Sequence, residues 1–176
     1  MKKNILVRKA KDSDFENFYK LFRKTLDKGY FLYSPTSVAT FEFDLPKETI
    51  RKDMKSGKRI LFLGFENGEL AGYLLTNKMN GGVSFGHWLA VDKKFQNHGV
   101  ATNILNFWEK NALMQGAHTL ELFTTKNDVE FYVNRSFHLI GQFPDAWYGV
   151  DHFHFYKALR PSDEKNFLKP YKNKKK

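Results

Sequence analysis

The chain has 176 residues, among them 29 Lys and Arg, 19 Asp and Glu, six His and no Cys, for a formal net charge of +10. That length suits one domain with a sizeable core, and 41% apolar with 27% charged content excludes wholesale disorder. No apolar run approaches the roughly 18 residues of a membrane helix, and Arg8, Lys9 and Lys11 interrupt anything like a signal peptide. The lack of cysteine removes disulfides, thiolate metal sites and a cysteine nucleophile together. A cytoplasmic, soluble, single-domain protein with no membrane partner is expected.

In chain order, Asn4 to Ala10 reads as a short first strand. Asp12-Ser-Asp14 supplies helix-capping side chains, and Phe15, Phe18, Tyr19, Phe22 and Leu26 follow at helical spacing. Residues 29–45 are aromatic and irregular, and a second helix is predicted from near Pro46 to before Gly57. Two apolar runs, Arg59 to Phe65 and Leu70 to Leu75, flank Asn67-Gly68, whose tolerance of positive φ signals a hairpin. Asn80-Gly81-Gly82 then turns the chain into a strand from Val83 to Val91. Residues 99–115 carry the strongest helical pattern, with Val100, Ala101, Ile104, Leu105, Trp108, Ala112 and Leu113 on one stripe and Gly116 as its stop. A strand from Thr119 to Phe123 follows. Asn127 is expected to cap a short helix through Phe131 and Tyr132, with Glu130 reaching back as in a capping box. Strands from Ser136 to Phe143 and from Asp151 to Leu159 close the pattern. The result is an α+β domain, residues 1–159, on a largely antiparallel sheet.

The charge is uneven. Residues 157–176 hold eight Lys or Arg against Asp163 and Glu164, which is +6 of the +10. Such an end can bind nucleic acid through phosphates, but it has few aromatics on which bases could stack. A flexible, solvated tail over 160–176 is the preferred reading.

The stretch Leu89-Ala-Val-Asp-Lys-Lys-Phe-Gln-Asn-His-Gly-Val-Ala-Thr102 carries the chemistry. A buried strand stops, a short polar loop with one glycine follows, and an amphipathic helix begins. Backbone N–H groups of residues 97–102 are left at the positive end of a helix dipole, which suits a phosphate or pyrophosphate. Gly99 lets a ligand approach the backbone closely. Gln96, Asn97 and His98 add neutral donors around it, and Thr102 adds a hydroxyl.

Leu89-Ala-Val91 followed by Gln96-x-x-Gly99-x-Ala101 resembles the acetyl-CoA signature of the GNAT superfamily of N-acetyltransferases. Phe131-Tyr-Val-Asn-Arg-Ser-Phe137 is similar to that family's later Phe-Tyr-Glu-Lys-x-Gly-Phe segment. The order of elements from residue 4 to 159 is similar as well. The resemblance implies a mixed, largely antiparallel sheet flanked by helices, with acetyl-CoA held at a splayed strand end and a helix N-terminus. The amides of Asn97, His98, Gly99, Val100, Ala101 and Thr102 would take the pyrophosphate. Leu89, Ala90 and Val91 would pair with the pantetheine arm like an added strand. Tyr132 matches the family tyrosine that protonates the leaving thiolate. Asn127 lies two positions closer to that tyrosine than the family's asparagine, and Ser136 stands where a glycine is usual. An amine acceptor, either polyamine-like or a protein N-terminus or lysine, would attack directly in a ternary complex, since no cysteine offers a thioester route.

The general base is open. His87 shares a strand face with Phe85 and Leu89 and is either a base or a core imidazole. Glu121 is either a base or a solvent-facing carboxylate, and water is a third route. His152-x-His154 puts two imidazoles on one strand face without a clear third ligand, so packing is preferred and no metal is expected. Trp147-Tyr148, or residues 29–43 with Glu42 and Asp44 nearby, could line an acceptor groove. A homodimer is compatible with this reading. The alternative function is a non-catalytic CoA-binding or nucleic-acid-associated module using the Lys-rich end.

Overall fold

A computed structural model describes residues 4–27, 29 and 31–172 of the chain. The side chain of Glu42 lies outside what is described. Seven strands are hydrogen-bonded in the order β1-β2-β3-β4-β5-β7-β6. They are β1 (Ile5–Lys9), β2 (Arg59–Glu66), β3 (Glu69–Asn77), β4 (Val83–Val91), β5 (Thr119–Thr124), β6 (His138–Phe143) and β7 (His152–Ala158). β4 and β5 run parallel, whereas the pairs β1–β2, β5–β7 and β6–β7 are antiparallel. The expected mixed, largely antiparallel α+β fold is present. Two compact units are distinguished, Met1–Thr76 with Trp88–Phe107 and Asn77–His87 with Trp108–Lys176.

In the first unit, α1 (Phe15–Asp27) buries Phe15, Phe18, Phe22 and Leu26, the stripe its spacing predicts. Phe18 meets the Tyr73 ring edge-on at 5.2 Å, and Phe22 meets Trp88 at 5.6 Å. Each buried aromatic of this kind contributes about 1.5–3 kcal/mol. The segment expected to be irregular instead contains α2 (Pro35–Asp44). Ser34 Oγ accepts from the Ser37 amide and Pro35 occupies the first turn, so the start signal was local and was obscured by the aromatic content. α3 (Lys47–Lys55) follows Pro46 as expected. Asn67 and Gly68 turn the β2–β3 hairpin with φ of 49° and 86°.

α4 (Val100–Gln115) packs on β2 and β3 through two glycines. A Cβ on Gly64 would come within 2.9 Å of Ile104 Cδ1 and 3.0 Å of Val100 Cγ1. On Gly72 it would lie 2.8 Å from the Ala90 carbonyl oxygen and 3.0 Å from Val91 Cγ2. The neighbouring strand positions Leu63 and Tyr73 are fully buried. Alternation along each strand therefore gives α4 a smooth seat on one face while the other face receives large side chains.

In the second unit, Trp108 lies over Gly86 and its Nε1 donates to Ser84 Oγ at 2.9 Å. Leu120, Leu122, Phe137 and Phe155 complete a buried core. α5 (Val129–Val133) is preceded by Asp128 at the capping position, with no side-chain cap bond. Asn127 sits inside a 3-10 turn, so the expected capping box does not form. The Lys-rich end carries α6 (Glu164–Phe167) and α7 (Lys169–Lys172). Phe167 packs against His118 at 6.0 Å, and Tyr171 donates to Asn80 Oδ1 at 3.2 Å. Residues 173–176 lie outside the described residues. Among the described residues, no helix is long and apolar enough to cross a membrane.

Gly72→Ala tests the seating of α4. The clash is with a backbone oxygen that cannot rotate away, so we expect a loss of about 1–3 kcal/mol in urea unfolding. An unchanged midpoint would show that the contact is not tight.

Candidate functional site

In the first unit, the loop from Val91 to Val100 is braced at both ends. The Asp92 amide donates to the Ala71 carbonyl at 2.8 Å, and the Asp92 carboxylate receives the Lys24 ammonium. Burial works against that carboxylate, but Lys24 and the Lys94 amide outweigh it and hold its pKa below the ordinary value. Gln96 Nε2 donates back to the Val91 carbonyl at 3.2 Å. His98 Nδ1 lies 2.8 Å from Glu66 Oε2, and Glu66 is only 5% exposed. Two of the side chains expected as ligand donors therefore also fasten the loop to the sheet. Asn97 and Gly99 both take positive φ, 61° and 87°.

The Asn103 amide and its Nδ2 both donate to the Gly99 carbonyl, which makes Gly99 the capping residue of α4. Among the described residues, the amides of Asn97, His98, Gly99, Val100 and Ala101 make no close backbone hydrogen bond, although residues 96–99 form a turn. Those five N–H groups gather at the N-terminus of a 16-residue helix. An anion is the natural partner for them. Space above Gly99 is open: a Cβ there would meet nothing nearer than Asn103 Nδ2 at 3.7 Å. Upstream, Ala90 and Val91 are buried and Leu89 is half-buried at the end of β4. The parallel β4–β5 ladder stops at Gly86↔Leu122, although β4 continues to Val91 and β5 to Thr124.

In the second unit, the strand register puts Phe85 and His87 of β4, Glu121 and Phe123 of β5, and His154 of β7 on one sheet face. Their rings touch. Phe85 lies 4.9 Å from His87 and 6.0 Å from Phe123, and Trp147 meets Phe123 edge-on at 5.1 Å. His154 stacks on Phe123 at 4.2 Å with 12° between planes, and its Nε2 lies 2.6 Å from Glu121 Oε1. His152, on the same face of β7, is buried, meets Trp147 edge-on at 5.1 Å, and has its Nδ1 2.7 Å from the Val150 carbonyl. Trp147 is half exposed, and Tyr148 holds a positive φ of 58°.

Tyr132 is 7% exposed, packed between Phe131, Phe137 and Phe155. Burial pushes its pKa well above the ordinary value, and the neighbouring Asp128 carboxylate adds to the shift while Arg135 opposes it. The phenol is therefore held protonated, with no hydrogen-bond partner for its hydroxyl among the described residues. Ser136, where the resemblance calls for glycine, has φ of 62°. The turn does need the left-handed conformation, and serine occupies it at a cost of about 1 kcal/mol.

Residues 32–158 match the acetyltransferase (GNAT) domain family. The chain belongs to the GNAT acetyltransferase family. It is thus an enzyme of acetyl transfer from coenzyme A. Solved GNAT-type structures share its fold at low identity. The PaiA N-acetyltransferase of Thermoplasma acidophilum, in complex with coenzyme A, aligns with a TM-score of 0.73 at 16% identity over 88% of this chain and 99% of its own. An N-acetyltransferase of Staphylococcus aureus Mu50 aligns at 0.71 with 15% identity, covering 89% and 99%. An aminoglycoside 6'-N-acetyltransferase complexed with coenzyme A gives 0.69 at 14%, covering 90% and 99%. No curated protein matches the sequence.

For a GNAT protein, the loop signature was legible in sequence, whereas the partners that hold it were not. Glu66 and Lys24 lie far from the loop along the chain, and no local pattern links them to His98 and Asp92. The Glu121–His154 contact was missed for the same reason.

Gly99→Glu tests the anion site. The fold should survive with only the strain of positive φ, about 1–2 kcal/mol. Acetyl-CoA affinity by isothermal titration should fall by about 100-fold or more, because a carboxylate then occupies the anion's place. Retained affinity in the folded variant would remove this loop from cofactor binding.

Proposed function

We propose that this GNAT enzyme is an N-acetyltransferase that acetylates a cationic primary amine by direct attack in a ternary complex. The run of five amides without a close backbone acceptor at the start of α4 carries the reading, since pyrophosphate is the group that such a run fits. In this reading the amides of Asn97 to Thr102 hold the pyrophosphate. Leu89, Ala90 and Val91 offer backbone groups to the pantetheine arm at the end of a strand whose parallel ladder has already stopped. Coenzyme A in the Thermoplasma and aminoglycoside enzymes supports that choice of donor.

The acceptor is read from the second unit's sheet face. Phe85, Phe123 and Trp147 are aromatic faces that attract an alkylammonium, and Glu121 supplies negative charge beside them. A polyamine-like molecule, an aminoglycoside-like amine and a protein N-terminus or lysine all present that group. His87 and Glu121 are the candidates for accepting the amine's proton on this face.

Tyr132 donates a hydrogen bond to the departing sulfur. A thiol's ordinary pKa of about 8.5 lies below even an unperturbed phenol near 10, and burial widens the gap. The phenol therefore stabilises the thiolate without giving up its proton fully. Asn127 is exposed and outside α5, and its part in cofactor binding rests on the sequence pattern alone.

Tyr132→Phe keeps the ring and removes the donor. We expect kcat to fall about 10- to 100-fold, as for a hydrogen bond to a charged group. Acetyl-CoA affinity by titration should stay within a factor of about two. An unaltered kcat would dismiss Tyr132 from the chemistry.

A further inference from the structure

We infer that His154, oriented by Glu121, is the base that deprotonates the acceptor amine. The inference rests on the acetyl-transfer reading above and names the proton acceptor which that reading leaves open. His154 Nε2 faces Glu121 Oε1 at 2.6 Å. A carboxylate only accepts, so the neutral imidazole carries its hydrogen on Nε2 and its lone pair on Nδ1. No described residue bonds to that Nδ1. The ring is held flat against Phe123 at 4.2 Å, which fixes the direction in which the lone pair points.

Placement matters as much as tautomer. Phe123 is the first β5 residue beyond the end of the β4–β5 ladder, and His154 is its register partner on β7. The imidazole thus stands on the aromatic face proposed for the amine, beside the first β5 residue past that ladder. His154 is 26% and Glu121 31% exposed, open enough for a substrate yet shielded enough for the pair to hold its geometry. Phe85 and Trp147 flank the Phe123 ring on which the imidazole stacks, so the aromatic cluster continues past it. The charged or titratable groups sharing this face include Glu121 of β5, His87 of β4, His152 and Tyr156 of β7, and His138 of β6, the register partner of Tyr156.

His154 Nδ1 takes one proton from the acceptor ammonium, R–NH3+, leaving R–NH2 and an imidazolium whose charge Glu121 offsets. The amine lone pair forms the N–C bond to the thioester carbonyl carbon, and the C–S bond breaks with its electron pair on sulfur. The nitrogen's second proton reaches the thiolate, giving amide and thiol. His154 returns its proton to solvent. Glu121 is a positioning residue here, and His154 is the catalytic one.

The test measures thiol release from acetyl-CoA with three separate acceptors: spermidine, kanamycin and a short peptide with a free N-terminus. His154→Gln should lower kcat by about 100-fold with acetyl-CoA affinity unchanged, and added imidazole should restore part of the rate to His154→Ala. Glu121→Gln should lower kcat by about tenfold. It should also mix the two tautomers in long-range nitrogen-15 imidazole spectra, while the KM for the amine stays within a factor of about two. A His154→Gln enzyme within threefold of wild type on the preferred amine overturns the assignment, as does a wild-type spectrum with the neutral ring protonated on Nδ1. Wild type inactive on all three amines, by contrast, strikes the amine-acetylation reading itself, and the base role falls with it.

Discussion

The start of α4 can offer amides without a close backbone acceptor only because the helix sits close against β2 and β3. Gly64 and Gly72 supply that seat, where even one methyl group would meet Ile104 or the Ala90 carbonyl oxygen. The close packing settles where the helix axis points and so where its first turn opens. The loop then has little freedom. Asp92 is tied to Lys24 and Ala71, Gln96 to Val91, and His98 to Glu66. Each tie lowers the entropy lost when an anion binds, so the amide cluster is preorganised by packing and polar braces together.

The chemistry proposed for the second unit follows from a different constraint. The β4–β5 ladder ends at Gly86↔Leu122, and the residues beyond it on each strand have no register partner on the other. The side chains there are Phe123, His87 and their neighbours, forming a half-exposed aromatic surface with one carboxylate. Tyr132 is the opposite case, buried and held neutral by its apolar surroundings. In the proposed reaction that surface would receive a cation and the phenol would remain a donor. Acetyl transfer to an amine needs both properties.

Much of this was legible in sequence. The hairpin at Asn67-Gly68, the helix from Val100, the strand from Val83 and the signature around Gly99 all rest on local periodicity or turn chemistry. Residues 35–44 were misread because aromatic content hid a Ser-Pro start whose signal is two residues long. Asn127 was misread in the other direction, since the helix begins one residue later and its side chain caps nothing. The site's braces were invisible for a physical reason. Glu66 with His98 is 32 residues apart and Glu121 with His154 is 33, so the fold alone brings them together. Near the end of the chain, Phe167 packs against His118 and Tyr171 donates to Asn80, contacts that its lysine content does not announce.

The central claim is that the amides of Asn97 to Ala101 bind the pyrophosphate of the acetyl donor. Titrating nitrogen-15-labelled protein with acetyl-CoA and following every backbone amide addresses it most directly. The account predicts the largest shift changes at residues 97–101, with the same changes produced by desulfo-coenzyme A, which keeps the pyrophosphate and lacks the thioester. Amides in this loop that stay in place while others move would place the donor elsewhere and contradict the account.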